Sequence, residues 1–498
     1  MRFVHIIKFI LFIWFGICTM PSVHATTPNS DSIIIQRKLL SYSLNSGLLI
    51  TNSRNTVPYW LRTNQYGIIP NYSPSIILES KIASDFTGRK WDWGFGLETF
   101  ANLGPSNHFN FSEGYLKGRW GLIEVWGGRR KQTIGLVGDS TLTSGSYVES
   151  GNALPIPLIQ IGFQDYVPVL HGLFAIKGHY AHGWFDSNPI VRNHYLHQKT
   201  LYGRFGKPHW KIILYGGFNH NVQWGGKYVI KNQPYGRNQN PSDWIDYFYV
   251  ITGKYTASLK FVDPTKYDVI DHGNRIGNHL GSVDVGAEFN TNKWKVIAYR
   301  QSIYDDGSLF KKTNLADGLH GISIKARGDN YTLFGIKGVT VEFLNTTSQG
   351  GALFTAASLG RDNYFNHAQF YGWVYGGNTV GTPFLSPSKF SSTSLPNRGF
   401  TNNNRVRLFH LSFNGRAYGA RYLLKASYSN NLGTYDNPFP HGTNQFSLLA
   451  DLSGKLPWKA IEEFDGFAKV GVDLGKLYPN ATGIYFGIRK NGVLKMRK

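Results

Sequence analysis

The stretch GLVGDSTLTSG, residues 135–145, sets a Gly-Asp-Ser triplet among hydroxyl side chains. A serine there is a nucleophile only if a base takes its proton and a third group orients that base. GDS-type hydrolases meet this need with an α/β fold and a later Asp-x-x-His, and no α/β alternation surrounds Ser140. A phosphate-cradling loop would need a lysine before the hydroxyl, and the stretch has none. His179 and His182 lie three apart, as do His194 and His197. On a strand that offset turns the first pair to opposite faces, so they cannot share a metal. The second pair falls in a loop that would let both rings meet one ion, but no cysteine or carboxylate accompanies it. Asp305 and Asp306 resemble a glycosidase pair in type, yet adjacent strand residues point apart and Asp-Asp-Gly is a turn sequence. No catalytic residue, metal site or cofactor is therefore expected. What remains is a wealth of Trp, Tyr, Arg and Asn in polar segments. Aromatic rings stack on sugar faces, Asn and Gln bond hydroxyl edges, and Arg grips acidic groups with two parallel bonds. Girdles and interior networks of a barrel would use the same residue types.

The elements that must carry these side chains alternate. In WDWGFGLETFA, Trp91, Trp93, Phe95 and Leu97 oppose Asp92, Gly94, Gly96 and Glu98. In GSVDVGAEFN, Val283, Val285, Ala287 and Phe289 oppose Asp284, Gly286, Glu288 and Asn290. RAYGARYLLKASY and GFAKVGVDLGK repeat the pattern, and similar segments recur from about residue 75 to the C-terminus. A period of two means strands with two unlike faces. Charged residues make up 16% of the chain, aromatics 15%, and there are 57 glycines, which argues against a cytosolic enzyme and for short strands with tight turns. A soluble sandwich would expose its polar face at a higher charge content. An outer-membrane barrel inverts the arrangement, with apolar side chains toward lipid, polar ones toward the lumen and aromatics at the interfaces. We therefore expect an all-β transmembrane fold, a large antiparallel outer-membrane β-barrel.

The N-terminus agrees with export. Arg2 and Lys8 precede an apolar run over residues 9–18, and Val23-His24-Ala25 offers a cleavage site, so residues 1–25 read as a signal peptide. Cys18, the only cysteine, falls in that signal, which leaves the mature chain without disulfides or thiolate metal sites. Export also removes nucleic acid as the partner of the +22 formal charge and leaves anionic lipid or an acidic polymer. Residues 31–70 alternate poorly and read as a plug at the periplasmic mouth. The domain expectation is a plug or periplasmic element over 26–73, a barrel over 74–490 and a basic tail over 491–498. The polar connections at 232–244 and 378–404 read as external loops.

PYWLRTNQYG at residues 58–67 resembles the Wzi family of capsule-assembly proteins. The likeness continues through GGRRKQTIGLVGDSTLTSGSYVESGNALPIP (127–157), GHYAHGWF (178–185), NHNVQWGGKY (219–228), GNHLGSVDVG (277–286) and YRQSIYDDGS (299–308). The resemblance implies 18 strands, a small plug near the periplasmic end, and a lectin-like, non-enzymatic role in holding capsular or other surface polysaccharide. It makes 135–145 a strand-to-loop connection. Partners are then an acidic surface polysaccharide and outer-membrane lipid or lipopolysaccharide, with the protein a monomer. A porin-like diffusion channel is the alternative, and a barrel-embedded hydrolase the third reading. The candidate polysaccharide contacts in the matched blocks are Trp60, Arg62, Arg129, Gln223, Trp224 and Arg300. Tyr235, Arg237 and Trp244 follow from the variable loops. The arginines would serve equally to hold the plug against the wall. The chain ends in RKNGVLKMRK rather than on an aromatic, which leaves the register of the last strand open.

Overall fold

The computed structural model describes residues 38–136, 139–230, 238–256, 266–267, 275–305, 307–328, 333–355 and 360–495. The expected signal peptide, Gly138, Asp306, Tyr235 and Arg237 lie outside them. Eighteen antiparallel strands follow one another around a closed ring. They are β1 (Leu39–Thr51), β2 (Ser75–Ser84), β3 (Trp91–Leu103), β4 (His108–Trp120), β5 (Ile123–Arg129), β6 (Leu158–Val169), β7 (Phe174–Trp184), β8 (Tyr195–Phe205) and β9 (Ile212–Trp224). There follow β10 (Asn278–Asn290), β11 (Trp294–Asp305), β12 (Gly318–Ala326), β13 (Phe334–Asn345), β14 (Val406–Ala417), β15 (Ala420–Asn431), β16 (Asn444–Lys455), β17 (Asp465–Gly475) and β18 (Ala481–Lys495). The ring closes where β1 pairs β18, from Leu39 opposite Lys495 to Thr51 opposite Gly483. No described helix is long and apolar enough to cross a membrane.

The expected faces are the observed ones. Trp91, Trp93 and Leu97 are exposed on the outer wall, while Glu98 is buried on the lumenal side with the Lys131 ammonium 2.7 Å away. In β10, Val283, Val285 and Phe289 point out. Asp284 points in and accepts bonds from Tyr202 Oη at 2.9 Å and Ser282 Oγ at 2.6 Å. The glycines have a use in this wall. A Cβ on Gly217 would lie 2.2 Å from the Tyr202 ring and 2.6 Å from the Leu201 carbonyl, and one on Gly321 would lie 2.2 Å from Tyr299. Tyrosine rings lie flat across glycines of the next strand, covering backbone that glycine leaves bare.

The connections divide by end. Those at one end are turns such as 121–122, 170–173 and 418–419, and the longest there spans 456–464. Those at the other end include 52–74, 130–157, 225–277 and 346–405. Two boundaries differ from the sequence expectation. The first strand lies inside the segment assigned to a plug, and its weak alternation has a cause. Ile50 faces outward and exposed, while Leu49 faces inward and is fully buried against the lumenal filling, so both faces are apolar there. Residues 52–74 do fill the lumen, but they enter from the long-loop end rather than from the end where the chain starts. At the other terminus β18 continues through Lys495, so residues 491–495 belong to the wall rather than to a tail.

Gly217→Ala is expected to destabilise the barrel by about 1–3 kcal/mol, because the added methyl must displace both a ring and a carbonyl. Denaturant unfolding in detergent, read by the loss of heat-modifiable mobility, measures it.

Candidate functional site

Three long loops meet inside the mouth and fasten to the wall and to each other. The first carries α1 (Tyr59–Arg62), a single turn after Pro58. Its Tyr59 amide donates to Asp473 Oδ2 at 2.7 Å, and Trp60 Nε1 donates to Ser427 Oγ at 3.0 Å. The Tyr59 ring lies 5.0 Å from that of Phe384, which belongs to the loop over 346–405, and stacks on Tyr478 at 5.7 Å. The second loop, over 130–157, crosses the lumen. Its Leu142 carbonyl accepts from His410 Nε2 at 2.9 Å and from Ser412 Oγ at 2.5 Å on β14. The third loop, 346–405, donates from Trp373 Nε1 to the Val148 carbonyl at 2.7 Å. It accepts from Ser150 Oγ at the Gly381 carbonyl and from Asn152 Nδ2 at the Thr379 carbonyl. A continuous apolar cluster containing Trp60, Tyr147, Phe365, Trp373 and Leu385 joins all three. The mouth is thus a packed cap.

The cap uses up most of the polar side chains that looked free in the sequence. Asn402, Asn403 and Asn404 are buried. Asn404 Nδ2 donates to Asn363 Oδ1 at 2.6 Å, and Asn403 Nδ2 to Asn431 Oδ1 at 2.9 Å. The rim keeps a smaller set at the surface. Arg405 lies 3.8 Å over the Tyr435 ring, and Arg361 forms an ion pair with Asp436. Asn363 is exposed beside them.

The sequence candidates do not form one site. Trp60 is 1% exposed, with the Lys425 ammonium 4.8 Å from its ring centre, so it has no free face for a sugar. Arg62 lies 3.9 Å over Phe390, beside the stacked rings of Tyr59 and Tyr478. Arg129 spans from wall to cap, donating to Tyr375 Oη at 2.6 Å and to the Phe111 carbonyl at 3.2 Å. Gln223 is fully buried and donates to the Gly372 carbonyl at 3.0 Å. These four are cap and cap-holding residues. Adjacent strand residues point apart, and Trp224 accordingly faces outside, stacked on Tyr247 at 4.9 Å. Tyr247 belongs to α2 (Trp244–Thr252), which lies against the outer wall and bears Trp244, 86% exposed. Arg300 also faces outward and donates to the Leu315 carbonyl. Arg361, Arg405 and Tyr435 were missed. Each sits in a polar segment, but only the approach of 346–405 to 432–443 makes them neighbours.

The chemical candidates fare similarly. Asp139 accepts from the amides of Thr141 and Leu142 and pairs with Lys325 at 2.9 Å, which makes residues 139–142 a turn. Ser140 is exposed beside a recess lined by Lys325, Lys337 and Asn414, with no histidine among its described lining residues. His194 stacks on Phe185 at 4.7 Å in the cap, whereas His197 packs on Tyr180 and Tyr247 outside. The pair therefore straddles the wall, contrary to the expectation that its rings could share an ion. Among the described residues no three His, Cys, Asp or Glu side chains are placed to hold a metal.

No protein-family model matches this chain, and no curated protein sequence matches it. Solved structures do. Wzi of Escherichia coli, an outer-membrane protein involved in Group 1 capsule assembly and described as a carbohydrate-binding β-barrel, is 14% identical. That match covers 92% of this chain and 85% of Wzi, with a TM-score of 0.56. The likeness is one of fold. OccK5 (OpdH) of Pseudomonas aeruginosa is 8% identical over 92% of this chain and 98% of its own, with a TM-score of 0.47. OccK2 (OpdF) of the same organism is 9% identical at the same coverage and TM-score.

Two outcomes follow from the cap. Burial pushes the Glu149 carboxyl up to about 7, against a hydrogen bond from Gln198 Nε2 at 3.2 Å that pulls it down. A carboxyl raised on folding binds more protons folded than unfolded, so its contribution to stability falls as pH rises from the unfolded value toward about 7. Hydrogen-exchange protection in residues 130–157, taken relative to the intrinsic rate at each pH, is expected to fall over that window, and Glu149→Gln to flatten the dependence. Ser140→Ala is expected to change unfolding by no more than about 0.5 kcal/mol, as for an exposed turn residue, with no ester or glycan turnover in either form. Turnover by the parent chain that vanishes in the variant would restore the nucleophile.

Proposed function

We propose that this chain is a polysaccharide-binding barrel of the Wzi kind, exported to the outer membrane with its long loops outside. In this role it holds capsular or related surface polysaccharide without turning it over. The observation that carries the reading is the cap. Three loops from one end fill the mouth with a shared apolar core and mutual hydrogen bonds, which favours a rigid platform over an open pore. Outer-membrane barrels carry short periplasmic turns and long external loops, so the capped end faces outward. The fold shared with Escherichia coli Wzi, itself described as carbohydrate-binding, supports the same reading. The formal charge of +22 favours an acidic polymer.

The contact face is the rim rather than the lumen. Arg361, Asn363 and Arg405 bring guanidinium groups and an amide to the rim, the groups that acidic sugars need, with Arg405 braced on the Tyr435 ring. Arg129 and Gln223 hold the cap beneath them.

Glycan arrays with the purified, detergent-solubilised chain test the binding, and planar-bilayer conductance tests the pore. The parent is expected to bind an acidic polysaccharide and to conduct poorly. Arg361→Ala is expected to lose roughly 1–3 kcal/mol of affinity, as for a charge-assisted bond, with unfolding unchanged. Arg129→Ala is expected to do the reverse, loosening the cap and raising conductance while affinity per folded molecule persists. High conductance in the parent, with no glycan retained, would leave the diffusion channel as the reading.

A further inference from the structure

The outer wall carries a recess that polysaccharide holding at the rim does not use. Its floor is made by outward side chains of β9–β11, among them Phe218, Val283 and Tyr304. The end of α2 at Thr252 and Gly253, Arg275, and residues 309–312 fold down over that floor. The recess is open to the outside and holds about 650 Å³. Three cations line it, Lys199, Arg275 and Lys312, and no carboxylate occurs among its described lining residues. Two of the cations are held in place by backbone. Lys199 Nζ donates to the Ile251 carbonyl, and Arg275 Nε donates to that of Gly253 at 2.8 Å. The Arg275 guanidinium rests 4.2 Å over the Tyr255 ring, and its Nη1 is buried with no hydrogen-bond partner among the described residues.

The surroundings say which medium the recess meets. Below it the wall continues apolar and exposed through Leu201, Leu214 and Val285. Beside it α2 turns Trp244, Ile245 and Phe248 outward, and the loop after β11 turns out Phe310, 81% exposed. Large aromatics in that ring-like position belong at a membrane–water interface. Cations on a lipid-facing wall are unfavourable unless they lie near the headgroups and meet anions there.

We propose that this recess binds the phosphorylated sugar headgroup of an outer-leaflet glycolipid of the lipid A type, with the acyl chains lying on the apolar wall below. This rests on the reading that the capped end faces outward. A glycerophospholipid head brings a single phosphodiester charge, whereas a sugar bearing two phosphates matches three cations spread around the recess. Its ring also meets aromatic side chains, Tyr304 in the floor and Phe310 at the edge. The lipid would tie α2 and the loop after β11 to the wall, and so fix the outer flank of the cap.

Native mass spectrometry of the full chain in zwitterionic detergent tests this with four probes: bisphosphorylated lipid A, its dephosphorylated form, phosphatidylglycerol and inorganic phosphate. Bisphosphorylated lipid A is expected to be retained, with each of the other three at least about tenfold weaker, the scale of one lost charge-assisted bond. Lys312→Glu, in an exposed loop, is expected to weaken lipid A binding about tenfold or more, with heat-modifiable mobility and polysaccharide binding unchanged. Lys199→Gln serves as the second variant. Equal retention of dephosphorylated lipid A, phosphatidylglycerol or phosphate would overturn the proposal, as would full lipid A affinity in both variants. Loss of the polysaccharide reading would appear separately, as a parent chain that retains lipid A and no glycan.

Discussion

Every backbone N–H and C=O in the lipid-facing wall must find its partner within the wall, because a bilayer core offers none. In this chain that requirement is met by antiparallel pairing around the whole ring, and it fails if any one strand is left with an open edge. The seam between β1 and β18 therefore matters as much as any hairpin. Thirteen residue pairs, from Leu39 opposite Lys495 to Thr51 opposite Gly483, complete it. The ring also fixes which side chains share a space. Between bulges a strand residue faces lipid or lumen by its parity, and Gln223 and Trp224 show how sharply that divides neighbours.

Closure creates a second demand. The inward faces carry Asp284, Glu98, Asn219 and many hydroxyls, and these are buried once loops fill the mouth. A buried polar group without a partner is unfavourable. The structure answers with networks that run from wall to wall and from wall to loop, such as Tyr202 and Ser282 on Asp284, or Trp60 on Ser427. The loops add an apolar core of their own. A single crowded interior thus supports the rim where polysaccharide would be held, and it does so with residues that resemble sugar-binding residues in type. Outside, a different connection, the one between β9 and β10, lies on the wall, where α2 and Arg275 border a cationic recess.

The fold was legible because parity is a local signal. Trp91, Trp93 and Leu97 against Gly94, Gly96 and Glu98 needed no tertiary knowledge to assign, and the long polar connections were recognisable as loops. The first strand was not legible, since Leu49 and Ile50 are both apolar for different reasons, one meeting loops and the other facing outward. The last strand was read short because its end, with Arg489, Lys490 and Lys495, lacks the aromatic pattern of its neighbours. The candidate site was the least legible part. Trp60, Arg129 and Gln223 have the chemistry of sugar contacts, but each is bonded inside the cap.

The sequence by itself determined the class of wall, the outward side of clearly alternating strands such as β3 and β10, and the absence of a recognisable catalytic or phosphate-loop motif at Ser140. These rest on periodicity and on residue type, which act over a few positions. Tertiary structure alone decided where the plug enters, which polar residues it consumes, and that Arg361, Arg405 and Tyr435 meet at the rim while Lys199, Arg275 and Lys312 meet outside it. Those groupings join residues far apart in the chain, across loops whose paths are set by packing against a closed ring, and no local pattern encodes such a path.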